Sequence, residues 1–210
     1  MSLSGGVMPK KTFNNLSYER QQHVLAICRR EFETHCFDAA SVSAIVEQLG
    51  IARGTFYKYF EDLEDCYFYL LARETKEVHD IFFFLLKQNE FDIVTSLAQY
   101  GKRIAREIHD PQKYALYRNR YLGWTPLLQE KWQIYLEKLG KKAMPFADVV
   151  VEGYRAELLS GESIHLIKAV VHDLIARNFS ENWTKAHFIK NYQRHIQLLT
   201  EGLKSNLLRD

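Results

Sequence analysis

The stretch LGIARGTFYKYFEDLED, residues 49–65, contains the pattern from which the fold is predicted. Gly50 is the kind of residue that ends a helix in the left-handed conformation, so a helix is expected to finish there. A new helix is then predicted over residues 53–60, and a helix this short is stable only when neighbouring helices hold it. The stretch therefore predicts two helices joined by a tight turn and supported by a third.

The short helix has one apolar face and one polar face. Phe56 and Phe60 are four residues apart and share the face that is expected to pack inward. The opposite face and its flanks carry Arg53, Gly54, Thr55, Tyr57 and Lys58. A helix-turn-helix unit lays the start of its second helix in the major groove of DNA, so these side chains are the candidates for DNA contact.

The residue types on this face suit different parts of the double helix. Arg53 is the best candidate to read a base, because arginine pairs with the edge of guanine. The hydroxyl groups of Thr55 and Tyr57 suit phosphate oxygens, Lys58 adds a cation, and Gly54 would let the backbone approach closely. The competing interpretation is a helix-turn-helix used only for packing, in which the tyrosines are half-buried aromatics.

A resemblance to a known family favours DNA binding. Residues 17–66 resemble the N-terminal domain of the TetR family of transcriptional regulators, whose pattern is a capped helix, an IA..AG segment and VS.GTFY.YF..K..L. Residues 41–67 read SVSAIVEQLGIARGTFYKYFEDLEDCY. The resemblance implies base contacts for Arg53 and Gly54 and phosphate contacts for Thr55, Tyr57 and Lys58. It places Tyr59 beside them, and it puts Ser41 and Ser43 at the start of the supporting helix, which often touches phosphate.

Two residues depart from the family pattern. Ala52 stands where a capping residue such as serine is usual, which gives up a bond that typically contributes about 1 kcal/mol. Leu63 stands where a phosphate-contacting lysine is usual, within the acidic run EDLED. The sequence therefore predicts that the second helix frays more readily and that one phosphate contact is missing at the start of the following helix.

Composition limits the class of protein. A chain of 210 residues with 47% apolar residues is expected to be globular, and its net charge of +2 restricts nucleic-acid binding to a local patch. Three cysteines without a C-x-x-C pair predict free thiols and a cytoplasmic location. The apolar run at residues 81–86 is far too short to span a membrane.

The rest of the chain predicts an all-α fold, because apolar residues recur at spacings of three and four and no stretch alternates at two. Residues 1–14 are interpreted as a leader or flexible arm, 15–62 as the DNA-binding head, and 63–210 as a larger helical body for ligand binding and dimerisation. Ser17 and Ser41 are expected to cap the first two helices, and Pro111 to open a later one. Predicted helices in the body cover residues 62–88, 91–108, 112–122, 127–142, 146–158, 163–178 and 184–207.

Two apolar stripes follow the last two predicted helices. They consist of Ile164, Ile167, Val171 and Leu174 in one helix and Ile189, Tyr192, Ile196, Leu199 and Leu203 in the other. Such stripes either pack inside the chain or join a second copy. The dimer is favoured, because TetR-like proteins build a four-helix interface from their last two helices.

The middle of the body is rich in aromatic residues, which either fill the core or line a ligand cavity with polar tips. The candidates for ligand contact are Phe83, Leu86, Tyr100, Ile104, Tyr117, Tyr121, Trp124 and Trp132. The cations at residues 102–103 and 118–120 could meet an anionic effector, but a solvated surface is the default interpretation.

Catalytic and metal-binding motifs are absent from the sequence. None of the eight histidines lies three or four residues from another, and there is no G-x-S-x-G, H-E-x-x-H or phosphate-binding glycine loop. No cofactor or metal is predicted. The sequence predicts a homodimeric repressor that binds a near-palindromic DNA operator and responds to a small apolar or aromatic effector. The alternatives are a helical interaction or scaffold protein with a degenerate head and, more remotely, a helical enzyme.

Overall fold

The computed structural model describes residues 9–140 and 161–207, except for the side chains of residues 74–80, 83, 161–164 and 203–207. The described residues form helices and no strand, which confirms the all-α prediction. The helices are α1 (Lys11–Asn14), α2 (Tyr18–Thr34), α3 (Val42–Leu49), α4 (Arg53–Tyr59), α5 (Leu63–Gln88), α6 (Ile93–Ile108), α7 (Tyr114–Leu122), α8 (Pro126–Lys138), α9 (Gly161–Ser180) and α10 (Lys185–Leu207). The predicted helix at residues 146–158 lies outside the described residues.

The chain divides into two compact units. The first consists of Met1–Thr75 and Ala115–Ala143, and the second of Lys76–Tyr114 and Met144–Asp210. The division passes through α5, and it groups α7 and α8 with the helix-turn-helix. A compact unit is not the same thing as a functional domain, so the boundary expected at residues 62 and 63 stays a prediction.

The ends of the helix-turn-helix form as the sequence predicts. The Arg20 N–H donates to Ser17 Oγ at 3.3 Å and the Ala44 N–H donates to Ser41 Oγ at 3.2 Å, so both serines cap their helices. Gly50 has a φ of 62°, the left-handed conformation that ends α3. Ala52 provides no side-chain cap for α4, which confirms the missing bond.

The prediction that residues 1–14 form a leader is wrong for residues 9–14. Helix α1 begins at Lys11, and the Phe13 side chain is fully buried. Its ring centroid lies 5.9 Å from that of Tyr59, 5.3 Å from Phe60 and 6.1 Å from Tyr69. A four-residue helix is too short to show a repeating apolar pattern, so this contact had no periodic signal. Residues 1–8 lie outside the described residues.

The core of the first unit joins the helix-turn-helix to the start of α5 and to α7 and α8. Its completely buried members in the first 60 residues are Phe13, Val24, Cys28, Ile45, Phe56 and Phe60. Leu116, Leu128, Trp132 and Tyr135 of α7 and α8 belong to the same cluster. The short helix α4 is therefore held by burial of its apolar face, as its length requires.

Proline marks one helix start, but not the predicted one. Helix α7 begins at Tyr114 rather than next to Pro111, which lies in the preceding turn. Pro126 instead occupies the first turn of α8, where Thr125 Oγ1 accepts a hydrogen bond from the Leu128 N–H at 3.2 Å. Threonine followed by proline is the stronger start signal, because one residue caps the helix and the other has the helical φ.

The second unit contains α6, α9 and α10. Tyr192 of α10 packs directly on Gly101 of α6, where an added Cβ would overlap the tyrosine ring. The Tyr192 hydroxyl donates to the Leu97 carbonyl oxygen at 3.0 Å. Gly101 is therefore required by close packing between these two helices.

The two apolar stripes belong largely to the core of this unit. Ile167, Val171, Leu174, Tyr192 and Ile196 are buried within the single chain, while Ile189 and Leu199 are half-buried. The side chains of Ile164 and Leu203 lie outside the described residues. The five buried residues expose little surface to a second copy, so their burial fits the packing role that the sequence left open, and their part in a dimer interface stays a prediction. The sequence pattern alone cannot distinguish an inward-facing stripe from an outward-facing one.

Candidate nucleic-acid interface

Helices α3 and α4 present a polar surface next to a buried apolar one. Ser43, Arg53, Gly54, Tyr57 and Lys58 are exposed, and Thr55 is half-buried. On the other side of α4, Phe56 and Phe60 are completely buried. The structure therefore brings together most of the residues that the sequence placed on the DNA-binding face. We call Ser43, Arg53, Gly54, Thr55, Tyr57 and Lys58 the α4 face.

Arg53 bridges the two helices of the motif. Its Nη1 donates to Ser43 Oγ at 3.0 Å, and its Nη2 donates to the Tyr57 hydroxyl at 3.3 Å. Its guanidinium carbon lies 5.9 Å from the centroid of the Tyr57 ring. These bonds are solvent-exposed, so they can be exchanged for bonds to a ligand at little cost. The arginine is held in position while its donors remain available.

Among the described residues, nothing packs against the position of a Gly54 side chain. A Cβ added to Gly54 would meet no atom within 4 Å, and its φ lies outside the left-handed region. Glycine in a helix costs about 0.8–1 kcal/mol relative to alanine. Because nothing inside the protein requires this glycine, close approach of an external partner is the remaining physical reason for it.

Lys10 ties the start of α1 to the end of α4. Its backbone N–H donates to the Tyr59 carbonyl oxygen at 2.9 Å, and its Nζ donates to the Tyr57 carbonyl oxygen at 3.0 Å. The same Nζ forms an ion pair with Glu61 at 2.6 Å. A lysine near the last carbonyl groups of a helix stabilises its end. Sequence reasoning missed this contact, because the residues that meet are far apart along the chain.

Two predicted DNA-binding residues have structural roles. Tyr59 is 7% exposed and its ring lies against Phe13, so it faces the core rather than the α4 face. The buried position of Tyr59 does not fit the DNA contact predicted for it. Ser41 is half-buried: its hydroxyl accepts the capping bond of α3, and its backbone N–H donates to Glu31 Oε1 at 2.9 Å. Ser41 therefore positions the supporting helix, and a phosphate contact from it remains a prediction.

Glu31 is a positioning residue that sequence reasoning missed. It is buried on α2, where its carboxylate accepts the Ser41 N–H and lies 3.5 Å from His35 Nδ1. A glutamate is rarely buried without a partner. The signal in the sequence is its place next to Phe32 and one turn from Cys28, on the apolar stripe of α2.

The acidic run at the start of α5 caps that helix. Asp62 Oδ1 accepts the Asp65 N–H at 2.8 Å, and Asp65 Oδ2 accepts the Glu61 N–H at 2.9 Å. Burial raises the pKa of the Asp65 carboxyl group above its ordinary value. With these acids and Leu63 in place of a lysine, the first turn of α5 does not provide a phosphate site.

The predicted ligand residues fall into different units. Tyr117, Tyr121, Trp124 and Trp132 belong to the first unit. Leu86, Tyr100 and Ile104 belong to the second, and the side chain of Phe83 lies outside the described residues. Tyr117, Trp132, Leu86 and Ile104 are buried, which also fits the core role that the sequence left open. The residues are not assembled within one unit.

One part of the cationic segment at residues 118–120 is buried, contrary to the solvated surface expected there. Arg120 is 9% exposed, whereas Arg118 is exposed. The Arg120 guanidinium carbon lies 5.6 Å from the ring centroid of Tyr121, 5.1 Å from that of Trp124 and 5.9 Å from that of Trp132. We call these four residues the Arg120 cage. All of them belong to the first unit.

The helix-turn-helix and its polar α4 face define a DNA-binding protein of the transcription-regulator class. Residues 24–70 match the family model described as bacterial regulatory proteins, tetR family. Residues 93–202 match the model described as tetracyclin repressor, C-terminal domain. The second match alone covers more than half of the chain, so the protein belongs to the TetR family.

The chain is also similar to individual proteins. The chain is 24% identical over 196 residues to an HTH-type transcriptional repressor from Mycobacterium tuberculosis, and the match covers 80% of this chain and 96% of the relative. It is 23% identical to a TetR family transcriptional regulator of known structure from Chloroflexus aurantiacus J-10-FL. That match covers 93% of this chain and 98% of the other, with a TM-score of 0.46.

Family membership places the chain among DNA-binding regulators rather than enzymes. Within the described ranges, no three histidine, cysteine or acidic side chains are grouped so that they could hold a metal ion. Across the same residues, no helix is both long and apolar enough to cross a bilayer. Cys28, Cys36 and Cys66 are free thiols, as predicted.

Proposed function

We propose that this TetR-family regulator is a cytoplasmic repressor that binds a near-palindromic operator through α4 and is released by a small apolar or aromatic effector. The observation that carries the DNA-binding part is the α4 face. It combines a positioned, exposed arginine with a glycine beside open space. In this proposal Arg53 and Gly54 face the bases, while Ser43, Thr55, Tyr57 and Lys58 contact phosphate.

The proposal requires a homodimer, because two α4 helices must reach two half-sites about one DNA turn apart, on the order of 34–36 Å. The buried stripe residues expose little surface for its interface. Leu166 of α9 and Leu198 of α10 are the better candidates, because they are 45% and 61% exposed. Large exposed apolar side chains on the last two helices support an interface there.

The dimer is tested by placing charge on these two leucines. The Leu166→Glu, Leu198→Glu double variant should sediment as a monomer and lose specific operator binding. Gln193→Glu is the matched control, since it adds a charge at another exposed position of α10. A double variant that remains dimeric would place the interface elsewhere.

DNA binding is tested by selecting sequences from random duplex DNA with the purified full chain. We expect enrichment of a near-palindrome, and binding to it should weaken steeply with salt because phosphate contacts release counter-ions. Random duplex should bind far more weakly at the same salt concentration. No enrichment, together with weak and uniform binding, would instead support the interaction or scaffold protein with a degenerate head.

A further inference from the structure

Arg120 has aromatic neighbours but no described hydrogen-bond acceptor. The three rings of the cage lie 5.1–5.9 Å from its guanidinium carbon, a distance at which ring faces attract a cation. The guanidinium group also carries five N–H donors. None of the described residues accepts a hydrogen bond from this guanidinium group or forms an ion pair with it. None of its guanidinium nitrogens is among the fully buried atoms that lack a partner, so these donors are open to water or to a bound anion.

Deprotonation cannot remove the charge of Arg120. Arginine stays protonated at every pH that a folded protein tolerates. Ring faces attract this cation but cannot accept its N–H bonds, so those donors are left to solvent or to an anion that replaces solvent. The cage therefore has the chemistry of an anion site whose anion comes from outside the described chain.

We propose that the Arg120 cage binds the carboxylate group of a small apolar acid. This inference rests on the proposed release by an effector, and it narrows the effector to an acid. A planar carboxylate can accept two parallel N–H bonds from the edge of a guanidinium group. The apolar part of the acid would lie along Trp124, Trp132 and Phe68, whose rings are already in contact.

A single negative charge fits better than a phosphate dianion. Arg118 is exposed, and Lys131, the cation beside Trp132, is already paired with Glu64 at 2.5 Å. Arg120 is therefore the unpaired cation among these neighbours. One positive charge within an aromatic surround matches a monocarboxylate with an apolar body.

The helix that carries Arg120 is joined by hydrogen bonds to the helix-turn-helix through the neighbouring Asn119. Next to Arg120, the Asn119 side-chain amide donates to the carbonyl oxygens of Phe32 at 3.1 Å and Glu33 at 2.9 Å, at the end of α2. The preceding residue in that turn, Glu31, accepts the Ser41 N–H at the start of α3. A ligand that shifts α7 would therefore move the end of α2 through Asn119, and α2 would move the start of the supporting helix α3 through Glu31.

The test uses the full chain and two pairs of probes that differ in charge. Phenylacetate is compared with phenylacetamide, and octanoate with octanamide, by calorimetry and by quenching of tryptophan fluorescence. Trp124 and Trp132 lie in the cage, so binding there should change the emission. In the wild-type protein we expect at least one acid to bind about tenfold or more tightly than its amide, because a charge-assisted bond to a buried group is lost in the amide.

Two arginine variants of α7 test whether the preference for the acid over its amide depends on Arg120. Arg120→Met should abolish the preference for the acid, since it keeps much of the side-chain volume without the charge. Arg118→Met is the matched control and should retain the preference, because that arginine is exposed. The comparison of acid and amide in the wild-type protein remains decisive even if Arg120→Met fails to fold.

The inference would be overturned if both acids bound no better than their amides, if neither acid bound at millimolar concentration, or if the preference survived in Arg120→Met. Operator affinity is then measured with and without the acid that binds. An acid that binds the cage but leaves operator affinity unchanged would support the anion site and contradict the release step of the proposed function.

Discussion

Arg53 and Arg120 lack a carboxylate partner among the described residues, yet their surroundings differ. Arg53 is exposed and held by two hydroxyl groups, those of Ser43 and Tyr57. Arg120 is buried among three aromatic rings. The charge of an exposed arginine is stabilised by water, and its donors can exchange that water for DNA. The donors of the buried arginine reach little water, which a bound anion can replace. The same side chain is thus suited to a large partner in one place and to a small ligand in the other.

The largest expected effect compares the contribution to stability of a buried ring in the Arg120 cage with that of an exposed ring on the α4 face. Trp132→Ala should lower the free energy of unfolding by about 3–5 kcal/mol, because a large buried ring is replaced by a cavity. Tyr57→Ala should lower it by clearly less, since that ring is 36% exposed and its removal leaves no closed cavity. Urea denaturation measures both. Equal losses in the two variants would contradict the contrast between a buried and an exposed aromatic group.

The second prediction concerns the function of the exposed arginine. Arg53→Ala should weaken operator binding by about 1–3 kcal/mol and relax sequence preference, because a base-edge contact is lost. Its unfolding free energy should stay close to that of the wild type. Arg118→Met, at an exposed arginine of α7, should leave operator affinity unchanged. Fluorescence anisotropy with the selected operator and a scrambled duplex measures the operator affinity and the sequence preference. Undiminished operator affinity in Arg53→Ala would contradict base reading.

Asp65 offers a further contrast, because a buried acid can lose its charge and a buried arginine cannot. Burial raises the pKa of Asp65, so the folded state binds the proton more tightly than the unfolded state does. The folded state therefore loses stability as pH rises from the ordinary aspartate range, near 4, through the raised value. Asp65→Asn should flatten that part of the profile, while its side-chain oxygen can still accept the Glu61 N–H. Parallel profiles for variant and wild type would contradict this assignment.

Local signals in the sequence predicted the helix-turn-helix well. Ser41 and Gly50 carry their capping chemistry in their own side chain or conformation, and α3 spans Val42–Leu49 as expected. Helical spacing opposite Phe56 and Phe60 predicted most of the α4 face, and the family resemblance added Ser43. None of these features depends on residues far away in the chain.

Long-range packing could not be predicted in the same way. Phe13 is buried by residues some 45 positions later, and Arg120 is buried because α7 packs beside α8 in the first unit. The apolar stripe around Ile196 had the correct period, but a period does not say which neighbour covers it. A cation inside an aromatic cage conflicts with the usual preference of arginine for the surface, and sequence reasoning therefore assigned it to solvent.

The smallest effect tests why the α4 face contains a glycine. Gly54→Ala should raise the free energy of unfolding by about 0.5–1 kcal/mol, because alanine favours a helix and the added methyl group meets no atom within 4 Å. The same change should weaken operator binding, since the methyl group would occupy the space that DNA approaches.

Gly202→Ala is the matched control for that experiment. Gly202 lies in α10 and also has open space around its missing Cβ, so its replacement should give a comparable gain in stability. Gly202 lies one turn from Leu198, so sedimentation must first show that this variant remains dimeric. DNA binding should then be unchanged, because Gly202 is outside the α4 face. Thermal unfolding and operator titration of both variants separate the two effects. If Gly54→Ala bound operator as tightly as Gly202→Ala, DNA would not approach the backbone at residue 54, and Arg53 would have to read the bases from a more distant helix.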